Sequence, residues 1–247
     1  METLLAPARL IFSSRNLWLW IATSLLLSAL ANGLAWRFCR PAGEREHRWL
    51  RWPVALLRET GRFFYFVGLP YVALLGGLIP ATQAGLINED WLHDLTLALP
   101  LGVGAFLVLL SLRALVLWRE RTAPGGGNPG EPPLPFGVAL RESVYQEIHW
   151  AFYRVAPLLA LDDFAQGIAL GLGIVALEAW LDPSWRRRWQ DPALALVALR
   201  TAGLAVTMAI VFGFTANLWL TLGVHVAVDR ACGWAWGRMG GAPDQAE

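Results

Sequence analysis

The chain has 247 residues, of which 56% are hydrophobic and 16% are charged, with a formal net charge of +1 and a mean hydropathy of +0.45. Soluble domains carry about 25% charged residues, so this composition excludes an ordinary soluble enzyme and favours a protein embedded in a bilayer. The net charge gives no indication of nucleic-acid binding, and we expect no nucleic-acid partner. All 20 basic residues are Arg, a bias that fits a prokaryotic source.

The clearest predicted span is the uncharged stretch 16–36, which lies between Arg15 and Arg37. About 20 apolar residues cross a hydrocarbon core of about 30 Å. Because no small-residue cleavage site follows a short apolar core, we interpret this stretch as a retained helix and not as a signal peptide. Further apolar stretches predict an all-α, polytopic transmembrane helical bundle of about seven spans. Their predicted bounds are 16–36, 63–87, 95–118, 139–161, 164–181, 193–213 and 216–237.

Two segments outside the spans have a distinctive composition. In 49–62, Arg alternates with aromatic and aliphatic residues, which predicts an amphipathic helix in the headgroup plane. Gly and Pro dominate 123–135, which is typical of a linker. The sequence therefore predicts four regions: an N-terminal three-span region with the interfacial helix (1–122), a Pro/Gly-rich linker (123–138), a C-terminal four-span core (139–238) and a tail (239–247).

The charges of the loops predict an orientation, because Arg is enriched in cytoplasmic loops of membrane proteins. The Arg-containing loops 37–62, 119–138 and 182–192 are predicted to be cytoplasmic. The short loops between the other spans are predicted to lie outside. We therefore expect a multi-pass protein of the inner (cytoplasmic) membrane, in contact with membrane lipids, with a cytoplasmic C-terminus.

Two polar clusters lie where lipid-facing residues are expected. Glu147 and His149, with Arg154, lie in the predicted span 139–161, and His225 and Asp229 lie in the last one. Ionisable groups at membrane depth are costly and are functional-site hypotheses by default. His225 and Asp229 are spaced i, i+4 and share one helix face. They could bind a metal together, or the carboxylate could hold the imidazole in one tautomer.

Counting along the predicted spans places several of these groups at a similar depth. Glu147 and Asp229 are each eight residues from the cytoplasmic end of their spans, roughly 12 Å deep at about 1.5 Å per residue. Arg200 is roughly 10 Å deep by the same count. We therefore expect Glu147, Asp229 and Arg200 to share one layer, with His149 and His225 slightly deeper.

A structural interpretation stays open beside the functional one. Polar residues in membrane bundles often pair simply to hold helices together. Arg113 and Arg154, both near span ends, could extend to the headgroups. Glu178, near a cytoplasmic end, is interpreted as solvated.

The C-terminal half resembles a known family. The run Thr215-Ala-Asn-Leu-Trp that precedes His225 and Asp229 resembles the last motif of the CPBP intramembrane metalloproteases, the CAAX prenyl endopeptidase and bacteriocin-processing (Abi) family. That motif is HxxxN or HxxxD, often preceded by an Asn-Leu-Trp run. The segment from Gln146 to Arg154 resembles the family's first motif, EExxxR. The resemblance covers roughly 139–237.

The resemblance implies that Glu147 is a general base acting on water, that His225 is a site histidine and that Asp229 stands at the Asn/Asp position. Arg154, Arg200 and Asn217 are predicted as supporting residues. The resemblance also implies zinc or another divalent metal, for which His149 and His225 are the candidate ligands. The chain departs from the pattern because Gln146 replaces the first Glu, the spacing to Arg154 is longer, and no histidine lies between Arg154 and His225.

We therefore expect a CPBP-like intramembrane protease, or a catalytically degenerate relative, that acts on a membrane-proximal peptide. The alternative is a non-enzymatic membrane subunit or scaffold that binds partner membrane proteins, or a cofactor through His149 or His225. A small-solute transporter is a third hypothesis, although no pair of similar halves with broken helices is visible.

Overall fold

The computed structural model describes residues 16–38, 48–122, 135–161 and 163–240, and all regular structure in these ranges is helical. This confirms the predicted all-α fold. The helices are α1 (Leu17–Phe38), α2 (Arg48–Phe63), α3 (Leu69–Leu75), α4 (Trp91–Thr122), α5 (Phe136–Ala160), α6 (Phe164–Leu181), α7 (Pro183–Gln190), α8 (Pro192–Thr215) and α9 (Leu218–Gly240). A π-helical turn, Phe64–Gly68, joins α2 to α3 without interruption.

Within the described residues, four helices are long and apolar enough to cross a bilayer. They are Leu17–Arg37, Trp91–Trp118, Phe164–Leu181 and Leu194–Thr215. These stretches match the predicted spans 16–36, 95–118, 164–181 and 193–213 closely, because each is a long run that is apolar on average and carries few charged residues. The chain is therefore built as a multi-pass membrane protein.

The predicted helix over 63–87 is wrong in its second half. Helix α3 ends at Leu75, and the stretch that follows is made of turns. The cause is the Gly76-Gly77 pair. The amide of Gly76 donates to the Val72 carbonyl at 2.9 Å, and Gly77 adopts a φ of +73°, a conformation that ends helices and favours glycine.

The number of seven spans is not confirmed. The predicted spans 139–161 and 216–237 do form helices, α5 and α9, but both contain several charged residues and lack the apolarity of the other four. The predicted interfacial helix is present as α2, while its position at a membrane surface stays a prediction. Residues 123–134 of the predicted linker lie outside the described residues, and α5 begins at Phe136.

The chain forms two compact units. The first unit comprises Met1–Ile87 and Tyr145–Arg187, and the second comprises Asn88–Val144 and Arg188–Glu247. The domain boundaries that we predicted at the linker stay a prediction.

The first unit has a core to which α1, α3, α5 and α6 contribute, together with the turns after α3. Leu17 and Ile21 of α1 pack with Phe152 and Val155 of α5 and with Ile174 of α6. The short turn between α5 and α6 is stabilised by Asp163, whose carboxylate accepts from the Gln166 amide at 3.0 Å and caps α6.

Two glycines let α5 and α6 approach closely. A Cβ built on Gly167 would lie 2.7 Å from a methyl carbon of Leu158, and one on Gly171 would lie 2.9 Å from both Cα and Cγ of Arg154. The spacing of the two glycines is GxxxG, the small-residue pattern that lets membrane helices pack backbone against backbone. This close packing sets the register between the polar residues of α5 and α6.

The second unit is a bundle in which α4, α8 and α9 each pack against the other two. Leu109 of α4, Leu204 of α8, and Val228 and Trp236 of α9 belong to its apolar core. A glycine also lies at a helix contact here, since a Cβ on Gly203 would meet the tip of the Leu109 side chain at 2.7 Å.

Candidate functional site

The first unit contains a buried histidine–carboxylate pair. Nε2 of His149, on α5, lies 3.3 Å from Oε1 of Glu178, on α6, and the His149 side chain is fully buried. The interpretation of Glu178 as a solvated residue is therefore wrong, because its side chain is only 14% exposed and points into the helix interface.

The pair extends into a chain of hydroxyl groups. The Tyr65 hydroxyl donates to Glu178 Oε1 at 2.5 Å and accepts from the Ser24 hydroxyl at 3.0 Å. The Tyr153 hydroxyl lies 3.2 Å from that of Tyr65 and 3.0 Å from that of Ser24. We call these five side chains, His149, Glu178, Tyr65, Tyr153 and Ser24, the His149 network. They come from α1, α5, α6 and the π-helical turn.

Aromatic rings enclose the imidazole of His149. Its ring centroid lies 4.7 Å from that of Tyr65, 5.0 Å from that of Phe66 and 4.5 Å from that of Tyr153. Tyr65 and Phe66 are neighbours in the π-helical turn, a rare conformation that often occurs at functional sites. The turn therefore supplies both a hydrogen-bonding and a packing partner of the His149 network.

The predicted base, Glu147, is paired with Arg154 on the same helix. Oε2 of Glu147 lies 3.7 Å from Nη2 of Arg154, and the two side chains are 1% and 3% exposed. The structure thus brings together two of the predicted site residues. The idea that Arg154 extends to the headgroups is wrong, because its stem packs on Gly171 of α6. Arg113 of the second unit is also buried, with its guanidinium 5.6 Å from the ring centre of Trp236.

Glu147 and His149 have different partners. The two residues are roughly 200° apart around the helix axis by the geometry of an α-helix, and one contacts Arg154 while the other contacts Glu178. Across the described part of the chain, no group of three or more His, Cys, Asp or Glu side chains is arranged to hold a metal ion. The binding of a metal by His149 and His225 stays a prediction.

In the second unit, the structure brings Arg200 and Asp229 together, as the depth count predicted. Nη2 of Arg200 donates to the Asp229 carboxylate and, at 3.0 Å, to the Asp229 backbone carbonyl. The Arg200 side chain is 24% exposed and that of Asp229 is 17% exposed. The Arg200 guanidinium also lies 5.6 Å from the ring centre of Trp236. This contact joins α8 to α9.

Asn217 begins helix α9. Its side-chain oxygen accepts from the amides of Trp219 and Leu220 at 3.1 and 3.2 Å, which is an N-cap. Its side-chain nitrogen donates to Asp94, the acidic residue in the first turn of α4, at 3.1 Å. Ala216 adopts a φ of +46° at the break between α8 and α9. The Thr-Ala-Asn-Leu-Trp run therefore has a local structural role as a helix break and cap.

His225 is fully buried in α9, one helical turn before Asp229. Glu147 lies in the first unit, whereas His225 and Asp229 lie in the second. The predicted meeting of these three residues stays a prediction.

The sequence does not predict that Glu178, Tyr65, Tyr153 and Ser24 belong to a polar network. It offers one signal, since Glu178 is the single charged residue of α6. Such a residue in an apolar span is a site hypothesis by the same argument that singled out Glu147.

No protein-family model, no curated protein and no solved structure matches this chain, so the likeness to the CPBP proteases rests on the residues quoted above.

Proposed function

We propose that this chain is a CPBP-like intramembrane peptidase of a prokaryotic cytoplasmic membrane, with Glu147 as its general base. The observation that carries the proposal is the buried Glu147–Arg154 pair on α5, which has the residue types of the acid and the Arg in the family's first motif, at a longer spacing. In the proposed reaction, Glu147 accepts a proton from the water that attacks a peptide carbonyl and later donates it to the leaving amine. Arg154 positions the carboxylate.

The site residues of the proposal also include His225 and Asp229. Both lie on one face of α9, and His225 is shielded from solvent. Arg200, which donates to Asp229, and Asn217, which caps the same helix, are proposed as supporting residues. A membrane-proximal peptide is the proposed substrate.

We propose that the chain crosses the membrane seven times, and that the second crossing ends at Leu75 instead of at residue 87. The helical run from Arg48 to Leu75 is continuous. Its part from Arg58 to Leu75 is about 27 Å long at about 1.5 Å per residue, close to the thickness of a hydrocarbon core of about 30 Å. Arg58 and Arg62 lie one helical turn apart, so both side chains can extend toward the same headgroup layer. We propose that these two Arg residues reach the cytoplasmic lipid headgroups, and that α5 and α9 cross the bilayer, which leaves the C-terminus in the cytoplasm.

A cleavage assay tests the proposal. Purified full-length protein is placed in proteoliposomes with a library of single-span peptides, and cut sites are identified by mass spectrometry. We expect cleavage by the wild type and a loss of at least about 100-fold in Glu147→Gln, since general acid–base groups contribute about 10²–10⁴. Glu89→Gln, in an exposed loop, is the control and should cleave normally.

Two further measurements complete this test. We expect His225→Ala to lose cleavage, and metal analysis of wild type against His225→Ala tests the metal prediction separately. Absence of any cleavage by folded wild-type protein, or equal cleavage by wild type and Glu147→Gln, would contradict the peptidase proposal.

The second candidate function is a non-enzymatic membrane subunit, in which the motif residues only hold helices together. The observation that favours it is that Arg200, Asp229 and Asn217 all make helix-joining or helix-capping contacts within the second unit. Such a subunit should co-purify with partner membrane proteins in a fixed ratio, and Glu147→Ala and His225→Ala should keep that ratio unchanged. A wild-type protein that purifies alone from its native membrane contradicts this candidate.

A further inference from the structure

The imidazole of His149 has one nitrogen that the described part of the chain does not satisfy. Nε2 faces Glu178, but Nδ1 has no hydrogen-bond partner among the described residues, although the whole side chain is buried. A buried polar atom without a partner costs about 1–3 kcal/mol. Such atoms are rare in folded proteins and often mark a place where a water, an ion or a substrate binds.

The partners of Glu178 determine which ring nitrogen carries the proton. When the Glu178 carboxylate is ionised it can only accept hydrogen bonds, and Nε2 of His149 is then the donor in their contact. The Tyr65 hydroxyl already donates to the same carboxylate oxygen. In a neutral imidazole with Nε2 protonated, Nδ1 carries a lone pair and is an acceptor.

The contact with Glu178 and the surrounding rings fix the direction of that lone pair. The rings of Tyr65, Phe66 and Tyr153 surround the imidazole. A half-turn of the ring about the Cβ–Cγ bond would put the carbon Cε1 in the place of Nε2 and would lose the contact with Glu178. The acceptor nitrogen is therefore held in one orientation inside the first unit.

We propose that Nδ1 of His149 is a binding site for an O–H donor, either a water molecule or an alcohol group of a ligand, and that Glu178 and Tyr65 are its positioning residues. The proposal goes beyond the peptidase reading, since it uses none of Glu147, His225 and Asp229. It does not depend on whether the chain cleaves peptides.

Nitrogen NMR tests the proposal directly. The full chain is labelled with ¹⁵N-histidine and placed in lipid nanodiscs, and the His149→Gln variant identifies the signals of His149 among those of the four histidines. We expect the wild type to show a protonated Nε2 and an unprotonated Nδ1 in a single tautomer. His93, which is exposed at the start of α4, is the internal reference and should show averaged tautomers.

Variants of Glu178 and Tyr65 separate positioning from packing. Glu178→Leu removes the acceptor and should abolish the single-tautomer signal of His149. Glu178→Gln keeps one acceptor oxygen and should retain that signal in larger part. Tyr65→Phe should leave the tautomer unchanged but broaden the signal, because the carboxylate loses a donor that holds it. Tyr71→Phe, at an exposed tyrosine, should match the wild type.

The two sources of the O–H group are distinguished by water-edited spectra. Transfer of magnetisation from water to the His149 ring without added ligand identifies a water molecule. No transfer from water, together with a shift of the Nδ1 signal when 1-butanol is added, identifies an alcohol site. A wild-type Nδ1 that carries a proton, or that responds to neither water nor 1-butanol, overturns the proposal, and this result does not require any variant to fold.

Discussion

The two units of the molecule use polar residues differently. In the first unit, five polar side chains from four parts of the chain form the continuous His149 network in the interior. In the second unit, polar contacts are separate: the Asn217–Asp94 contact joins two helix starts, and Arg200 pairs with a partly exposed Asp229. Separate polar contacts are sufficient to hold two helices together. The His149 network is more extensive than helix packing requires.

The packing around glycine residues also differs between the two units. In the first unit, Gly171 faces the backbone and stem of Arg154, which cannot move without shifting α5. In the second unit, Gly203 faces only the tip of the Leu109 side chain, which can rotate away. We therefore expect the first unit to tolerate fewer substitutions at its helix contacts than the second unit.

The largest expected effect is from breaking the Glu147–Arg154 pair. Arg154→Met keeps most of the stem that packs on Gly171 but leaves the Glu147 carboxylate buried without the guanidinium. Removing one partner of a buried ion pair costs about 3–5 kcal/mol. We expect a loss of this size in the free energy of unfolding, measured by SDS titration in mixed micelles.

Two controls interpret this result. Arg186→Met, at an exposed arginine of α7, should change the free energy of unfolding by less than about 0.5 kcal/mol. The double variant Arg154→Met with Glu147→Leu should recover most of the loss, because no unpaired charge remains buried. A double variant that is no more stable than Arg154→Met would show that packing, and not the charge, is responsible.

A smaller effect is expected from Gly171→Ala. The added methyl group would lie 2.9 Å from Cα and Cγ of Arg154, and overpacking of this kind typically costs about 1–3 kcal/mol. Gly173→Ala is a matched control on the same helix, because nothing lies within 4 Å of its Cβ position. We expect Gly203→Ala in the second unit to cost less than Gly171→Ala. Equal losses in the same SDS titration would remove the packing difference between the units.

Tyr65→Phe is expected to cost about 1 kcal/mol, since it removes one side-chain hydrogen bond inside the first unit while Glu178 keeps its contact with His149. The comparison is Tyr71→Phe, which deletes a hydroxyl from a side chain that is 55% exposed. The free energies of unfolding of both variants are measured by SDS titration. A loss for Tyr65→Phe no larger than that for Tyr71→Phe would mean that the His149 network contributes little to stability.

Much of the fold could be predicted from long, largely apolar runs, as the bounds of α6 and α8 illustrate. The end of α3 could also be predicted, because a Gly-Gly pair such as Gly76-Gly77 is a strong helix-ending signal. The apolar residues on both sides of the pair favour one longer helix, which is why the predicted span continues to residue 87. Likewise, Asn217 between two apolar stretches has the residue type of an N-cap.

The His149 network could not be predicted in the same way. His149 and Glu178 are 29 residues apart, and their contact depends on the register of α5 against α6, which Gly167 and Gly171 determine. The contact of Tyr65 with Glu178 depends on a π-helical turn whose location no residue pattern in 64–68 indicates. Depth counting succeeded for Arg200 and Asp229 because α8 and α9 are adjacent antiparallel helices joined by a short break.

The smallest expected effect concerns the Arg200–Asp229 pair, measured by a double-mutant cycle with Arg200→Met and Asp229→Leu. Both side chains are partly exposed, so water and headgroup ions screen their interaction, and exposed pairs contribute about 0.2–1 kcal/mol. We expect a coupling energy in this range that decreases with added salt. The equivalent cycle for Glu147 and Arg154 should give a larger coupling energy that salt does not change, because both groups are buried. If both cycles give the same coupling energy and salt dependence, the two polar layers have the same environment, and the distinction between a docking contact in one unit and a buried site in the other no longer holds.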